Sequence, residues 1–163
     1  GEALIEEIQT DWVRKAKRSY TRALATVKAA EADGGDRDLS WSKGVIAYAE
    51  GVLQVHAAHW DEAMLAATLW YLSSQLGVKK IAYYGFETGM RLKGFATRER
   101  KPPKSLYTQL PKRFCMEKTH EVPGLLANCR ERQVQKILRD HTPAFWHLPE
   151  GFGPVTPNQA TIH

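Results

Sequence analysis

The chain has 163 residues, of which 43% are apolar and five are tryptophan, and its net charge is +5. That size fits one domain, and the composition supports a packed core and excludes a disordered chain. No apolar run approaches the length of about 18 to 20 residues that spans a bilayer, and Glu2, Glu6 and Glu7 stand where a signal peptide would be basic.

No membrane partner is therefore expected. Cys115 and Cys129 give neither a disulfide framework nor a four-ligand metal pattern, which makes a reducing cytoplasm the default location. The chain opens at once in a strand-like segment, so upstream sequence is to be expected.

In chain order, residues 3–9 read as a strand with Leu4, Glu6 and Ile8 on one side and Ile5 and Glu7 on the other. A carboxylate on each side suits an edge strand or a wet cleft. Asp11 can cap a helix from Trp12 to Ala32, with Trp12, Ala16, Tyr20, Leu24 and Val27 inward and Gly34-Gly35 as its stop. A second helix, 41–56, follows a short loop, with Trp41, Val45, Tyr48, Ala49 and Val52 as its stripe and Gly44 and Gly51 weakening it.

The centre of the chain is the stretch from Trp60 to Lys118. An Ala-rich helix runs to Gly77 and a β-branched and aromatic strand, 78–84, follows. One helical turn is expected between Gly85 and Gly94, then a charged surface loop at 98–103. Next come a short helix 104–109 ended by Pro111, a strand 113–117 and a helix 130–140. From Thr142 the chain is rich in Pro and Gly and reads as an irregular arm, anchored by Phe145 and Trp146. The expected architecture is α/β (α+β), a small mixed sheet packed by helices. Residues 1–141 form one domain, with a helical insertion at about 12–57 after the first strand, and 142–163 are the arm.

Few clusters point to chemistry. His56 and His59 share a helical face near Asp61 and Glu62, but lack a third ligand and the spacing of a zinc protease. No metal site is expected. Cys115, inside the predicted strand, reads as a small core residue. No nucleophile elbow, Walker loop or dinucleotide fingerprint occurs. Tyr107, on the short helix between Leu106 and Leu110, can either donate a proton to a leaving group or satisfy a buried carbonyl. Basic clusters at 14–18, 98–104 and 130–139 suit an acidic protein or nucleic acid, or are a solvated face.

Two resemblances bear on function. Glu6-Glu7-Ile8-Gln9-Thr10-Asp11-Trp12-Val13-Arg14, then Ala63 to Gly77 with Val78-Lys79-Lys80-Ile81, then Ser105-Leu106-Tyr107-Thr108-Gln109-Leu110 before Arg113-Phe114 resemble the second half of a GNAT-type N-acetyltransferase. That resemblance implies Tyr107 as general acid, Glu7 or Glu6 as base or water-holder, and Arg14 and Lys15 at the cofactor, acetyl-coenzyme A. Where the family has two closely spaced glycines after the arginine, this chain has Lys15-Ala16-Lys17-Arg18.

Glu7-Ile8-Gln9-Thr10-Asp11-Trp12 is also similar to the Glu-Ile-Gln-(Ser/Thr)-Asp-Trp motif of uncharacterised phage and mobile-element proteins, which implies a phage or prophage setting. Asp11 as a cap and Trp12 as a core anchor explain two of its residues without catalysis. Three readings follow: a GNAT-like acyltransferase domain, active or degenerate; a basic module that contacts nucleic acid or an acidic protein; and an assembly protein whose arm docks on a neighbouring subunit of an oligomer.

Overall fold

A computed structural model describes residues 1–34, 38–97 and 101–149. The expected loop at 98–103, most of the arm and Gly35 fall wholly or partly outside the described residues. The chain divides into two compact units: residues 9–63, and residues 1–8 with those from 64 onward. It is a mixed α/β protein, as its composition and periodicity imply.

The helical unit is a hairpin of α1 (Asp11–Asp33) and α2 (Ser40–His56). α1 stops where Gly34 adopts φ +62°, a left-handed conformation that costs a glycine little. Its start differs from expectation. Thr10 is the capping residue and makes no side-chain cap bond; Asp11 is already helical and pairs with Arg14 one turn on. The buried positions of α1 are Val13, Ala16, Ala23 and Ala30, and those of α2 are Ser42, Ala49 and Val52. Small residues fill them, which lets two helices approach closely. Trp12, read as a core anchor, is 46% exposed, and Trp41 and Tyr48, read as an inward stripe, are 76% and 63% exposed. An aromatic period of seven marks a face without saying which face it is.

Among the described residues the sheet unit contains four strands in the order β1-β2-β4-β3: β1 (Glu2–Ile5), β2 (Lys80–Tyr84), β3 (Glu117–Thr119) and β4 (Phe145–His147). β1 runs parallel to β2, pairing Glu2 with Lys80 through Ile5 with Tyr83, and β4 is antiparallel to both β2 and β3. β1 is an edge strand and ends at Ile5, so Glu6 and Glu7, expected on its two sides, lie beyond the ladder. β2 is central, and Ile81 to Tyr84 are all buried, as for a strand covered on both faces.

Helix α3 (Trp60–Trp70) does not continue to Gly77 as one α-helix. Tyr71–Gln75 form a π-helical turn, in which Leu76 N donates to Tyr71 O. The Ser73 hydroxyl donates to Leu69 O at 2.7 Å, competing for a helical carbonyl, a known cause of local unwinding. Short helices α4 (Phe86–Leu92), α5 (Ser105–Thr108), α6 (Leu110–Arg113) and α7 (Gly124–Ala127) and the longer α8 (Arg132–Asp140) follow.

The chain departs from expectation at three further places. Pro111 does not end a helix; it sits in the first turn of α6, where its missing N–H costs nothing. The strand expected at 113–117 begins only at Glu117, because Cys115 has φ +54° and lies exposed in the turn that closes α6. The segment after Thr142 is not wholly irregular: Phe145–His147 are an interior strand. Gly85 N–H donates to Ala144 O at 3.0 Å and Ala144 N–H to the Thr88 hydroxyl at 2.8 Å. These two bonds hold the segment at the sheet between Pro143 and Pro149.

Candidate functional site

The end of the β1–β2 pair leads to a cluster of ionisable side chains within the sheet unit. α5 supplies Tyr107, which is fully buried. Its main chain is fixed from two strands: Trp146 Nε1 on β4 donates to Tyr107 O at 2.8 Å, and the Tyr83 hydroxyl on β2 donates to Leu106 O at 2.9 Å. The Tyr107 ring is 5.9 Å from that of Tyr83 and 5.8 Å from that of Phe86, the latter edge-on. Gly89 on α4 completes the wall. A Cβ there would stand 3.4 Å from Tyr107 Cε1 and 3.3 Å from Tyr84 Cβ, so the glycine is what lets the helix lie against both rings.

The Tyr107 hydroxyl itself has no hydrogen-bond partner among the described residues. A buried hydroxyl left unpaired costs about 1–3 kcal/mol, and native chains keep few such groups. Burial, and secondly the negative charge of Glu7, push its pKa up from 10.0 to about 12. Tyr84 is raised to about 12 in the same way, by burial first and then by Glu6 and Cys129. Both phenols therefore stay protonated at neutral pH.

Glu7 is 13% exposed and pairs with Lys93 at 2.5 Å; Glu6 is mostly exposed, with its carboxylate 3.8 Å from the same ammonium. Lys93 also lies 5.7 Å from the centre of the Phe95 ring. The structure thus brings Glu6, Glu7 and Tyr107 into one region, with Glu7 acting on Tyr107 through its charge. Arg14 and Lys15 belong to the helical unit, where Arg14 pairs with Asp11 and both basic side chains are exposed.

Lys93 went unsingled in the sequence. It stands one residue before Gly94, whose φ of +64° reverses the chain after α4. Adjacent acidic residues at a strand end call for a cation, but nothing local to Glu6 and Glu7 identifies a lysine more than eighty positions away. A cleft of about 660 Å³ lies elsewhere in the sheet unit, between Gly1, Glu2, Lys80, Pro123 and His147. Glu2 closes one wall of it by accepting the Gly124 and Leu125 N–H groups.

Among the described residues no group of three His, Cys, Asp or Glu is placed to hold a metal ion, and His56 stacks on Trp12 at 4.7 Å. No described helix is long and apolar enough to cross a membrane. Compared with known proteins, the chain matches no family model, no curated protein and no solved structure.

Proposed function

We propose that the chain is a GNAT-like, acyl-coenzyme A-dependent acyltransferase domain, active or degenerate, of a phage-related protein. One observation carries this reading. Tyr107 presents a buried, protonated hydroxyl, without a partner among the described residues, beside the charge of Glu7 and near the end of a parallel strand pair. A purely structural tyrosine at this depth would be expected to donate to a carbonyl, as Tyr83 does.

The two ends of the cofactor fit unequally. An unpaired hydroxyl donor suits the sulfur of a thioester, and a bound thioester would supply an activated acyl group. The phosphate end, for which the resemblance names Arg14 and Lys15, fits less well. The link from β1 to α1 holds Glu6 and Glu7 and no glycine, and Arg14 already engages Asp11. The residues of this chain then divide the work as follows. Tyr107 holds a proton at Oη away from water. Glu7, charge-paired to Lys93, is the base or water-holder, with exposed Glu6 beside it. Acetyl-coenzyme A titration by calorimetry, followed by a thiol-release assay with amine acceptors, tests this; no binding at millimolar ligand removes the enzymatic reading.

A second reading is favoured by one observation. Arg14, Lys15, Lys17, Arg18 and Arg22 are all exposed along α1, a cationic face suited to a nucleic acid or an acidic protein. Binding through phosphate contacts would weaken steeply with added salt. A gel shift that is absent or insensitive to salt would exclude nucleic acid as the partner.

A further inference from the structure

The outward face of α2 has an organisation that neither reading uses. Helical geometry, 100° per residue, sets Ser40, Gly44, Ala47 and Gly51 down its middle, all of them exposed. Trp41, Tyr48 and Val55, seven apart and exposed, form a ridge on one side. Lys43 and Glu50, also seven apart and exposed, stand on the other. Gly44 and Gly51 are unexplained within one protomer. A Cβ at either would meet nothing within 4 Å, and glycine inside a helix is unfavourable relative to alanine. The ridge is also braced: Trp12 Nε1 donates to the Tyr48 hydroxyl at 3.2 Å, and the Trp12 ring packs on His56.

We infer that this face is a self-docking surface, on which α2 pairs antiparallel with α2 of a second copy of the chain. The charge pattern selects both the partner and the orientation. A two-fold axis perpendicular to antiparallel helices brings like sides together. The aromatic ridge then meets the ridge of the other copy, and Lys43 meets Glu50 of the partner subunit twice by symmetry. A parallel pair would set aromatics against charges. The glycines let the two backbones approach, as small residues do at close helix crossings. Trp41 and Tyr48 from both copies would bury roughly 500 Å², a fraction of the ~1,200 Å² at which stable interfaces begin. With Val55 and the helix backbones added, the dimer is a weak and reversible one.

Sedimentation velocity of the full chain over a concentration series into the high micromolar range tests this. A reversible monomer–dimer equilibrium is expected. Gly51→Gln, whose Cβ meets no atom within 4 Å in the protomer and which favours the helix, should abolish the dimer while circular dichroism stays unchanged. Lys43→Glu or Glu50→Lys alone should weaken dimerisation roughly tenfold, and the two together should restore it. A chain that stays monomeric throughout overturns the inference. So does a dimer indifferent to Gly51→Gln, or one that the double exchange fails to rescue, since either places the contact or its orientation elsewhere.

Discussion

Tyr83 and Tyr107 are neighbours of one chemical type in one core, and they differ in what their hydroxyls do. Tyr83 Oη satisfies Leu106 O, whereas Tyr107 Oη finds no partner among the described residues. Removing the first oxygen leaves a buried carbonyl short of a donor, and removing the second relieves an unmet demand. Tyr83→Phe is expected to lower stability by about 1–3 kcal/mol in urea unfolding, and Tyr107→Phe to leave it unchanged or raise it by about 1 kcal/mol. The same Tyr107→Phe change should cut acyl transfer by about 10² to 10⁴, the usual worth of a positioned acid.

The raised pKa values also fix a sign. Tyr84 and Tyr107 hold their protons to about 12 when folded, against 10.0 in an exposed chain. Between those values the folded state binds more protons than the unfolded one, so stability falls as pH rises. Stability should be insensitive to these groups below pH 10 and should lose on the order of 2 kcal/mol per tyrosine by pH 12. Absorbance titration should show both phenols ionising late. A Tyr107→Phe variant in which neither the late phase nor the alkaline sensitivity shrinks to about half, the share Tyr84 retains, would show that other groups carry them.

At the scale of elements, local signals and long-range ones separated cleanly. α1, α2 and β2 were legible because each is long or strongly patterned, with glycine stops where the backbone turns left-handed at Gly34 and Gly77. β4 was not. Three residues, Phe145 to His147, between prolines carry no period, and their strand identity comes from pairing with Ala82–Tyr84, more than sixty residues earlier, and with Glu117–Thr119. The strand expected around Cys115 failed for the opposite reason. Its apolar residues were real, but Cys115 adopts φ +54° and breaks the run. At the site, Tyr107 was legible from its Leu-Tyr context, while the Lys93 partner of Glu7 exists only in three dimensions.

The junction of α4 with β4 makes its own prediction. A Cβ on Gly85 would run into the carbonyl of Ala144, which is backbone and cannot turn aside. Gly85→Ala should therefore cost about 1–3 kcal/mol, the usual price of overpacking. It should also loosen β4, read as faster amide exchange at Phe145 to His147. Normal stability in that variant would mean that this junction does not hold the strand.

For the whole molecule, the proposed function rests on the sheet unit, where a parallel pair of strands ends beside two carboxylates, a lysine and a buried phenol. The helical unit contributes a basic face along α1 and an aromatic one along α2. The +5 charge of the chain would assist a phosphate-bearing ligand in either reading, so charge alone does not separate them. Calorimetric titration of the full chain with acetyl-coenzyme A at moderate salt, beside the Tyr107→Phe variant, does so most directly. The acyltransferase account predicts saturable binding by both proteins and thiol release by the wild type alone. Absence of binding at millimolar ligand, or equal thiol release by both, would contradict it.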